Sequence, residues 1–555
     1  MQHSPRATRR TLRFLAIAAA FATVAAACGG GSSSKSSNNG GTSSGASEGT
    51  PKEGGKIVYA LEGKTTMFCI PSAQLAISGI MVTQAIYDTL VEPDASGNMV
   101  PYLAKSVTHN PTYDQWTITL RPGIKFQDGE PLDAAAVAQN INAWRKGILL
   151  QFVFQDISNV QATDPMTVVV TTSKPWVAFP LYLWATGRVG IAAPAQLNNQ
   201  ATCNTNMIGT GPFKLKSFDP ATGEVDVVKN TDYWRKDSSG RQLPYLNEID
   251  FKIQEDGQQR TRGLQGGQFD VMHDSNGTDL STLQGLGNQF NIDMEPQGRQ
   301  ELGHILLNVN RPPFNNLSCR KAVAEGVDRK VLNNIVNKNL FRIANQVFDT
   351  KGMGYVSDPG FPQFDTTQAK KDVAACKTAN GGKFEFNLQS TFDALTQQLA
   401  QEVQREARQV GITVNLPAPV DQATIINQAI GGKVDAFLWR NYPGGDGDSL
   451  YVWFHSGSPV NFNHVSDPEL DRDLDQGRSE TDNAKRVALY QDFSRRMSQQ
   501  AYNLWSWYTQ WFVATKTTVH GLGGPNLPDA TGAPGTDKPI PMIAGYHQLL
   551  GIWVS

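Results

Sequence analysis

Residues 116–144 read WTITLRPGIKFQDGEPLDAAAVAQNINAW, and this stretch decides which fold the chain adopts. Its first five residues alternate apolar and polar side chains, which predicts a half-buried β-strand. Pro122 and Gly123 supply the backbone angles that a type II turn needs. A second short strand is predicted at 124–126, and Asp133 is placed to cap a helix whose apolar residues recur on one face.

The order strand, turn, strand and helix occurs in many α/β domains, so the residue types within it carry the information. The segment resembles the signature of the family 5 solute-binding proteins of bacterial ABC importers, the peptide and nickel class. The matching residues are Leu120, Arg121, Gly123, Lys125, Phe126, Asp128, Gly129 and Pro131. The chain departs from the family pattern at Asp133, where the family has Thr or Ser, and at Ala136, where it has Asp.

Two further segments resemble the same family and follow in the same order. Residues 208–215 read IGTGPFKL, and residues 306–316 read LLNVNRPPFNN, followed by a helix that ends in Asp328-Arg329. A Gly-rich phosphate loop is the alternative for 208–215, but such a loop opens a helix, whereas Pro212 leads into an apparent strand. Three motifs in family order predict the family fold: an α/β, two-lobed periplasmic-binding-protein-like (class C type) fold with an extra inserted domain.

The resemblance implies three domains behind an export segment. The expected boundaries are residues 1–27 for a lipoprotein signal peptide, 28–52 for a lipidated flexible tether, 53–90 with 209–302 and 526–555 for domain I, 91–208 for domain II, and 303–525 for domain III. About 500 residues after the tether are too many for one hydrophobic core, which agrees with several lobes. The chain is expected to cross between domains I and III near Leu302 and near 519–524.

The first 28 residues have the layout of a secreted lipoprotein. Four arginines precede an apolar run from Phe14 to Ala27, which is too short to span a bilayer comfortably and is typical of a secretory signal. The run ends in Ala-Ala-Ala-Cys28, which resembles a lipoprotein processing site in which Cys28 is lipidated. The alternative is ordinary cleavage near Ala27, and Arg9-Arg10 leaves twin-arginine export open beside the general secretory route.

Composition excludes nucleic acid as a partner. The full chain has 49 Lys and Arg against 51 Asp and Glu, a formal charge of −2. Removing residues 1–27 takes away four arginines and no acids, which leaves 45 against 51, or −6. A mature chain with this net negative charge does not favour nucleic acid as a partner.

Four cysteines besides Cys28 predict two disulfides, since the count is even and the protein is exported. Cys69 with Cys203 and Cys319 with Cys376 are the favoured pairs, because each pair lies near one predicted lobe. The other two pairings and four buried free thiols remain alternatives.

The loop after Trp439 is the predicted wall of the ligand site. Helix-then-strand patterns lead into 412–416 and 434–439, which predicts a largely parallel sheet, and ligands bind beyond the carboxyl ends of such strands. By resemblance Asp446 would take a ligand ammonium, whereas Arg440 could hold a carboxylate. Alternatively Asp446 and Asp448 only cap a helix and Arg440 is solvated. The complete set of expected ligand-binding residues is Met67, Phe68, His304, Trp439, Arg440, Asn441 and Asp446.

Catalysis and tightly bound cofactors are not expected. Outside the Gly/Ser-rich tether the chain has no GxSxG sequence, it has no HExxH or Walker sequence, and its eight histidines lack the spacing of metal ligands. Calcium is a weak alternative at 446–448, because that segment lacks the further oxygen ligands of a dedicated loop.

The sequence therefore predicts a monomeric, lipid-anchored substrate-binding protein on the outer face of the cytoplasmic membrane. It would capture an oligopeptide-like solute between domains I and III and deliver it to an ABC permease. The alternatives are a binding protein for a non-peptide solute, such as a saccharide, haem or metal chelate, and a cell-envelope interaction protein of the same fold that transports nothing.

Overall fold

The computed structural model describes residues 49–70, 73, 75–94, 97–147, 150–524 and 542–555. The strands are β1 Lys56–Leu61, β2 Val91–Pro93, β3 Met99–Pro101, β4 Ala104–His109, β5 Gln115–Leu120, β6 Ile157–Asp164, β7 Thr167–Thr172, β8 Phe213–Asp219, β9 Glu224–Lys229, β10 Glu248–Ile253, β11 Val271–Asp274, β12 Phe290–Met294, β13 Glu301–Leu307, β14 Arg342–Ile343, β15 Glu385–Gln389, β16 Thr413–Asn415, β17 Ala436–Asn441, β18 Asn503–Thr509, β19 Phe512–Lys516, β20 Val519–His520 and β21 Trp553–Val554.

The α-helices alternate with these strands over most of the described chain. They are α1 Ile77–Ile86, α2 Ala134–Trp144, α3 Phe179–Tyr182, α4 Pro194–Leu197, α5 Gly257–Gln265, α6 Gly277–Gln284, α7 Leu317–Gly326, α8 Arg329–Asn337, α9 Thr366–Ala379, α10 Ala394–Gln409, α11 Gln422–Ile430, α12 Tyr451–Phe454, α13 Pro468–Ser479 and α14 Asn483–Gln499. Short 3-10 turns occupy Val153–Asp156, Ala185–Gly187, Gln200–Thr202, Gly287–Gln289 and Gly447–Leu450.

The first sheet has seven strands in the order β12-β19-β11-β1-β10-β9-β8. Its centre is β1, which runs parallel to β10 and β11, so the carboxyl ends of these three strands lie at the same edge. β19 pairs with β11 and β12, and the chain therefore re-enters the first sheet directly after β18. That position is earlier than 519–524, the crossing expected from the sequence.

The second sheet has six strands in the order β14-β18-β13-β17-β15-β16. Pairing is parallel between β17, β15 and β16, but β13 is antiparallel to both of its neighbours. The prediction of a largely parallel sheet is thus right for the β15–β17 half and wrong for the rest. Helices also precede the antiparallel strands β14 and β18, so the order helix then strand does not by itself make a strand parallel.

The stretch 116–144 forms part of a third, four-stranded sheet with the order β4-β5-β7-β6. Its first strand and its helix are confirmed as β5 and α2, and Asp133 caps α2 by accepting a hydrogen bond from the Ala136 N–H at 2.8 Å. The predicted second strand is wrong. Lys125 makes only an isolated bridge to Pro131, because the chain turns back at once through a hydrogen bond from the Phe126 N–H to the Glu130 carbonyl.

The glycines of 208–215 allow two backbone segments to touch. A Cβ on Gly209 or Gly211 would collide with the backbone of Ile86, the last residue of α1. The Ile86 carbonyl accepts hydrogen bonds from the Gly211 N–H at 2.8 Å and from the Gln127 side chain at 3.0 Å. These contacts make the glycines a packing requirement, as expected for a strand entry rather than a phosphate loop.

The two favoured disulfides are confirmed. Cys69 is bonded to Cys203 and Cys319 to Cys376, with Cα–Cα distances of 5.1 and 4.9 Å. The first bond joins cysteines that are 134 residues apart in the sequence, and the second joins cysteines that are 57 residues apart. Two cross-links of this kind restrict the unfolded chain and stabilise the folded one.

The predicted signal peptide, Cys28 and most of the tether lie outside the described residues. Within the described part, no helix combines the length and apolarity that crossing a bilayer requires.

Candidate functional site

A cavity of about 720 Å³ lies between the carboxyl-end edge of the first sheet and the second sheet. Glu62 and Ser275, which follow β1 and β11, contribute from the first sheet, and Arg440 at the end of β17 contributes from the second. Its volume falls within the range of small-molecule sites, on the order of 300–1,000 Å³. The rule that ligands bind beyond the carboxyl ends of parallel strands therefore applies to both sheets.

Arg440 connects the two sheets across the cavity. Its guanidinium forms an ion pair with Glu62 at 2.8 Å and donates to the Ser275 hydroxyl at 2.6 Å. It also lies 5.0 Å above the ring of Trp511. Although burial disfavours its charge, the Glu62 and Glu301 carboxylates raise the pKa of Arg440 above its ordinary value. Arg440 is thus a permanent cation that already has a protein partner.

Glu301 is an acid of the cavity wall whose pairing is incomplete. Its Oε2 accepts a hydrogen bond from the Trp511 indole at 2.9 Å and lies 3.6 Å from Arg440 Nε. Burial raises the pKa of Glu301, and Arg440 offsets this effect only in part. For Glu62, by contrast, Arg440 and then His273 outweigh burial and lower the pKa. A cationic group of a ligand could therefore pair with Glu301.

Arg188 places an unpaired guanidinium in the cavity wall. Its Nε donates to the Leu75 carbonyl at 3.1 Å, while its two terminal nitrogens bond to no other described residue. Burial lowers the pKa of Arg188 to about 10, and Glu301 is the charged neighbour that opposes this shift. A half-buried cation without a counter-ion is costly unless another group supplies one.

The backbone that presents Arg188 is held in an unusual conformation. Ala185, Thr186 and Gly187 have φ angles of 43°, 57° and 77°, all in the left-handed region. This region is uncommon for alanine and an outlier for a β-branched threonine, and such residues cluster at ligand sites. The strained turn and the open guanidinium thus point to the same part of the cavity.

A buried ion pair underlies the first-sheet side of the cavity. Arg260 pairs with Asp274 at 2.7 Å and donates to the Gln254 carbonyl at 2.6 Å. His273 next to it accepts a hydrogen bond from the Glu62 N–H at 3.0 Å, and burial lowers its pKa to about 3. The neutral imidazole of His273 and the ion pair between Arg260 and Asp274 fix the position of Glu62. Neither offers an unpaired charge to a ligand.

Aromatic rings form the rest of the wall. The residues that contribute them are Phe392, Trp439, Tyr442, Trp453, Phe462, Trp507 and Trp511. Trp439 and Trp453 both pack against Phe462, whereas Phe392 has 63 % of its surface exposed. It lies in the loop between β15 and α10, where an aromatic ring can cover an apolar part of a ligand.

Four of the seven residues expected to bind the ligand lie in the cavity wall: His304, Trp439, Arg440 and Asn441. Of these, Arg440 presents a charged group to the cavity, whereas the His304 ring is 2 % exposed and stacks on Trp505 at 5.5 Å. Burial lowers the pKa of His304 to about 3, so its imidazole is neutral.

The other three expected residues lie outside the wall. Phe68 is fully buried and packs edge-on against Phe218 at 5.1 Å, while Met67 is 38 % exposed and does not line the cavity. Asp446 forms two hydrogen bonds to the Arg486 guanidinium, at 2.8 and 3.0 Å, and caps the following turn through the Asp448 N–H. The capping role considered as the alternative for Asp446 is the one that the structure displays.

Sequence reasoning missed Glu62, Arg188 and Glu301. The carboxyl-end rule, applied to β1 as it was to β17, would have found Glu62. Glu301 opens an antiparallel strand and Arg188 follows an irregular turn, so neither position has a periodic signal.

No group of three or more His, Cys, Asp and Glu side chains is arranged to hold a metal ion among the described residues. The donor set of the cavity is instead one of paired carboxylates and guanidinium groups. This set suits an organic ion better than a resident metal.

Comparison with known proteins gives a family match and several distant relatives. The family model for bacterial extracellular solute-binding proteins, family 5 Middle, matches residues 98–462, which is well over half of the chain. The nickel-binding periplasmic protein of Escherichia coli K12 is 26 % identical over 476 residues, covering 81 % of this chain and 88 % of that protein. The glutathione-binding protein GsiB of the same strain is 27 % identical over 429 residues, covering 74 % and 80 %.

Among solved structures, the periplasmic binding protein AgaA of A. tumefacien R10, in complex with agropinic acid, superposes with a TM-score of 0.78. It is 24 % identical and covers 90 % of this chain and 99 % of its own. This similarity confirms the predicted fold class.

Proposed function

We propose, since the chain belongs to the bacterial extracellular solute-binding proteins of family 5, that it captures a short oligopeptide-like solute in the central cavity for import. As a solute-binding protein of an ABC importer, it acts outside the cytoplasm and has a membrane permease as its partner. The observation that carries the choice of solute is Arg188, whose terminal nitrogens are open to the cavity beside Glu301.

The charges of the cavity fit a zwitterion. Arg188 offers two N–H donors to a carboxylate in the geometry that guanidinium groups favour. Glu301 offers a carboxylate oxygen to an ammonium, while Arg440 remains occupied by Glu62. A short peptide carries both charges at its ends. Of the relatives above, GsiB is named for glutathione, which is itself a peptide.

The volume of the cavity limits the solute to a small molecule. About 720 Å³ closed between two sheets leaves room for a few residues rather than an extended chain. The exposed ring of Phe392 would cover an apolar side chain of the solute. Domains I and III would close on the solute, with Arg440 and Glu62 meeting across the closure.

Isothermal titration calorimetry with matched peptides tests this function. Peptides that co-purify with the protein are first identified by native mass spectrometry, and each is then compared with its C-terminal amide. Because the amide leaves Arg188 unpaired in a half-buried site, we expect it to bind at least about 30-fold more weakly. Equal affinity of acid and amide would contradict the role of Arg188.

A panel of other solutes tests the peptide assignment separately from the general role as a solute-binding protein. Agropinic acid and a nickel complex of histidine are the non-peptide members of the panel, as named in solved structures of similar fold. If one of them binds and peptides do not, the protein remains a solute-binding protein but the peptide assignment is wrong. If no small solute binds, a transport role is contradicted.

We also propose that Cys28 anchors the protein by a lipid after removal of residues 1–27. The support is the sequence Ala-Ala-Ala-Cys at the end of the apolar run. Expression of Cys28→Ser in a host that processes lipoproteins should move the protein from the membrane fraction to the soluble extracytoplasmic fraction. Unchanged membrane retention of that variant would contradict the anchor.

A further inference from the structure

A second cavity, of about 410 Å³, is formed by the turn of the opening stretch 116–144. Its lining residues are Lys105, Arg121, Pro122, Gly123, Ile124 and Trp234. None of them lines the central cavity, so a ligand here would not be the imported solute. Cations are the only charged groups in this lining.

Two cations, Lys105 and Arg121, line this cavity, and a third, Arg235, lies against the rings of Tyr102 and Trp234 beside it. Arg121 donates its Nε to the Tyr102 carbonyl at 2.7 Å, and Arg235 lies 4.8 Å above the Tyr102 ring and 5.3 Å from the Trp234 ring. Lys105 extends from β4 and is exposed. Across the described residues, none of the three cations forms an ion pair with a carboxylate.

The cations repel one another rather than being neutralised locally. Burial and then the charge of Arg235 lower the pKa of Arg121. Such mutual repulsion persists in a folded protein only when other contacts hold the groups in place. Here the Tyr102 carbonyl and ring hold the two arginines together.

Two buried acids, Asp88 and Glu92, lie near Trp234 and Arg235. Asp88 accepts hydrogen bonds from Trp234 Nε1 at 2.9 Å and from the Thr210 hydroxyl at 3.1 Å. Burial raises the pKa of Asp88 to about 6 and that of Glu92 to about 8. Burial thus weakens the negative charge of both acids, and among the described residues neither forms an ion pair with the three cations.

We propose that this cavity binds a phosphate group. A phosphate group would supply the counter-charge that these cations lack among the described residues, and its several oxygens can accept hydrogen bonds from Lys105 and Arg121 together. Arginine forks and a lysine point charge are the side chains that bind phosphate in proteins. The group could belong to a lipid headgroup or to a free phosphate.

The surface around the cavity is compatible with a membrane source. Trp234 is half-buried with its indole N–H bonded inward, so the edge of its ring is what remains for a headgroup region. Indole rings beside lysine and arginine are typical of protein surfaces that meet anionic lipids. Binding there would orient the second cavity, and with it the third sheet, toward the bilayer.

The test uses the full chain carrying Cys28→Ser, so that no lipid at that position attaches the protein to membranes. Inorganic phosphate is titrated by calorimetry in a phosphate-free buffer. Vesicles of phosphatidylglycerol and of phosphatidylcholine are used in co-sedimentation. Each assay compares the parent with Lys105→Glu, with Arg235→Gln and with the control Lys433→Glu, an exposed lysine remote from both cavities.

Saturable phosphate binding that weakens about tenfold in Lys105→Glu and Arg235→Gln, but not in Lys433→Glu, supports a site for a free anion. Binding to phosphatidylglycerol vesicles with the same ranking, in the absence of phosphate binding, supports a lipid headgroup. If the parent and Lys105→Glu are alike in both assays, the proposal is overturned. Lys105 is exposed, so its substitution tests the site without depending on a buried group, and circular dichroism verifies that the variants are folded.

Discussion

The two halves of the segment 439–448, which spans the end of β17 and the loop after it, contrast in what their charged and polar groups contact. Residues 439–442 line the central cavity, whereas Asp446 and Asp448 point into the protein and are held by arginines. Sequence reasoning placed both halves at the ligand. The structure separates them within seven residues.

In the inner half, Asp448 shows that the charged groups are completely paired within the protein. Its carboxylate is fully buried, lies 2.9 Å from Arg478 Nε and accepts a hydrogen bond from the Trp176 indole at 2.8 Å. Arg478 also pairs with Asp156 at 3.2 Å and stacks on the Tyr451 ring at 3.6 Å. The cluster joins residues of 91–208 to residues of 303–525, and every charge in it has a partner.

Arg188 shows the opposite condition in the cavity wall, since its terminal nitrogens are bonded to no described residue. A charge that the protein itself neutralises serves to hold segments together. A charge that the fold positions but leaves unpaired has hydrogen-bonding capacity for a ligand. This difference predicts that substitutions in the two places have separable effects.

The largest effect is expected for Asp448→Asn. Removing the closer partner of a buried ion pair leaves Arg478 with Asp156 as its one remaining counter-ion among the described residues, which costs about 3–5 kcal/mol of the free energy of unfolding. Urea denaturation followed by tryptophan fluorescence measures the loss. The control is Asp492→Asn, whose side chain is 60 % exposed and pairs with Arg495 on the surface. Equal, small losses in both variants would contradict the structural role of Asp448.

Arg188→Gln should have the second largest effect, and on binding rather than stability. We expect the affinity for a carboxylate-bearing solute to fall at least about 30-fold, because the solute carboxylate loses its partner in a half-buried site. The free energy of unfolding should not decrease, since the protein gives Arg188 no counter-ion. Arg405→Gln, on the surface of α10, serves as the control in calorimetry. A stable fold with unchanged affinity would refute the assignment.

Asp446→Asn should have a moderate effect, and on stability rather than binding. Loss of the charge that faces Arg486, which is itself 4 % exposed, should lower the free energy of unfolding by about 1–3 kcal/mol. Solute affinity should remain within about twofold, because Asp446 does not line the cavity. An affinity loss of tenfold or more would instead restore Asp446 to the ligand site.

The smallest effect is a pH dependence of solute affinity that arises from Glu301. Burial raises the pKa of Glu301, so this group takes up a proton at a higher pH than an ordinary glutamate. Only the charged form attracts an ammonium, and affinity for a peptide should therefore fall severalfold between pH 7 and pH 5. In Glu301→Gln the affinity should be lower at pH 7 and nearly constant over this range. A profile as steep as that of the parent would exclude Glu301, with Glu385→Gln on the surface as control.

The local sequence was sufficient to predict β5, α2 and the two disulfides. The alternation in Trp116–Leu120 produced β5, Asp133 capped α2, and the two favoured cysteine pairs are the disulfides. The three family motifs, in the order in which the family has them, were sufficient to predict the fold class. These features depend on neighbours in the chain or on a pattern of whole segments.

The chemistry of the site depends on pairs that sequence does not display. Arg440 and Glu62 are 378 residues apart, and Arg478 and Asp156 are 322 apart. Nothing in the local pattern of Asp446 and Arg188 distinguishes a paired charge from an open one. Only the packing of distant segments decides which of them is neutralised. Thus the sequence by itself determined the family fold and the position of one cavity wall, whereas the tertiary structure decided which charges remain free for a ligand.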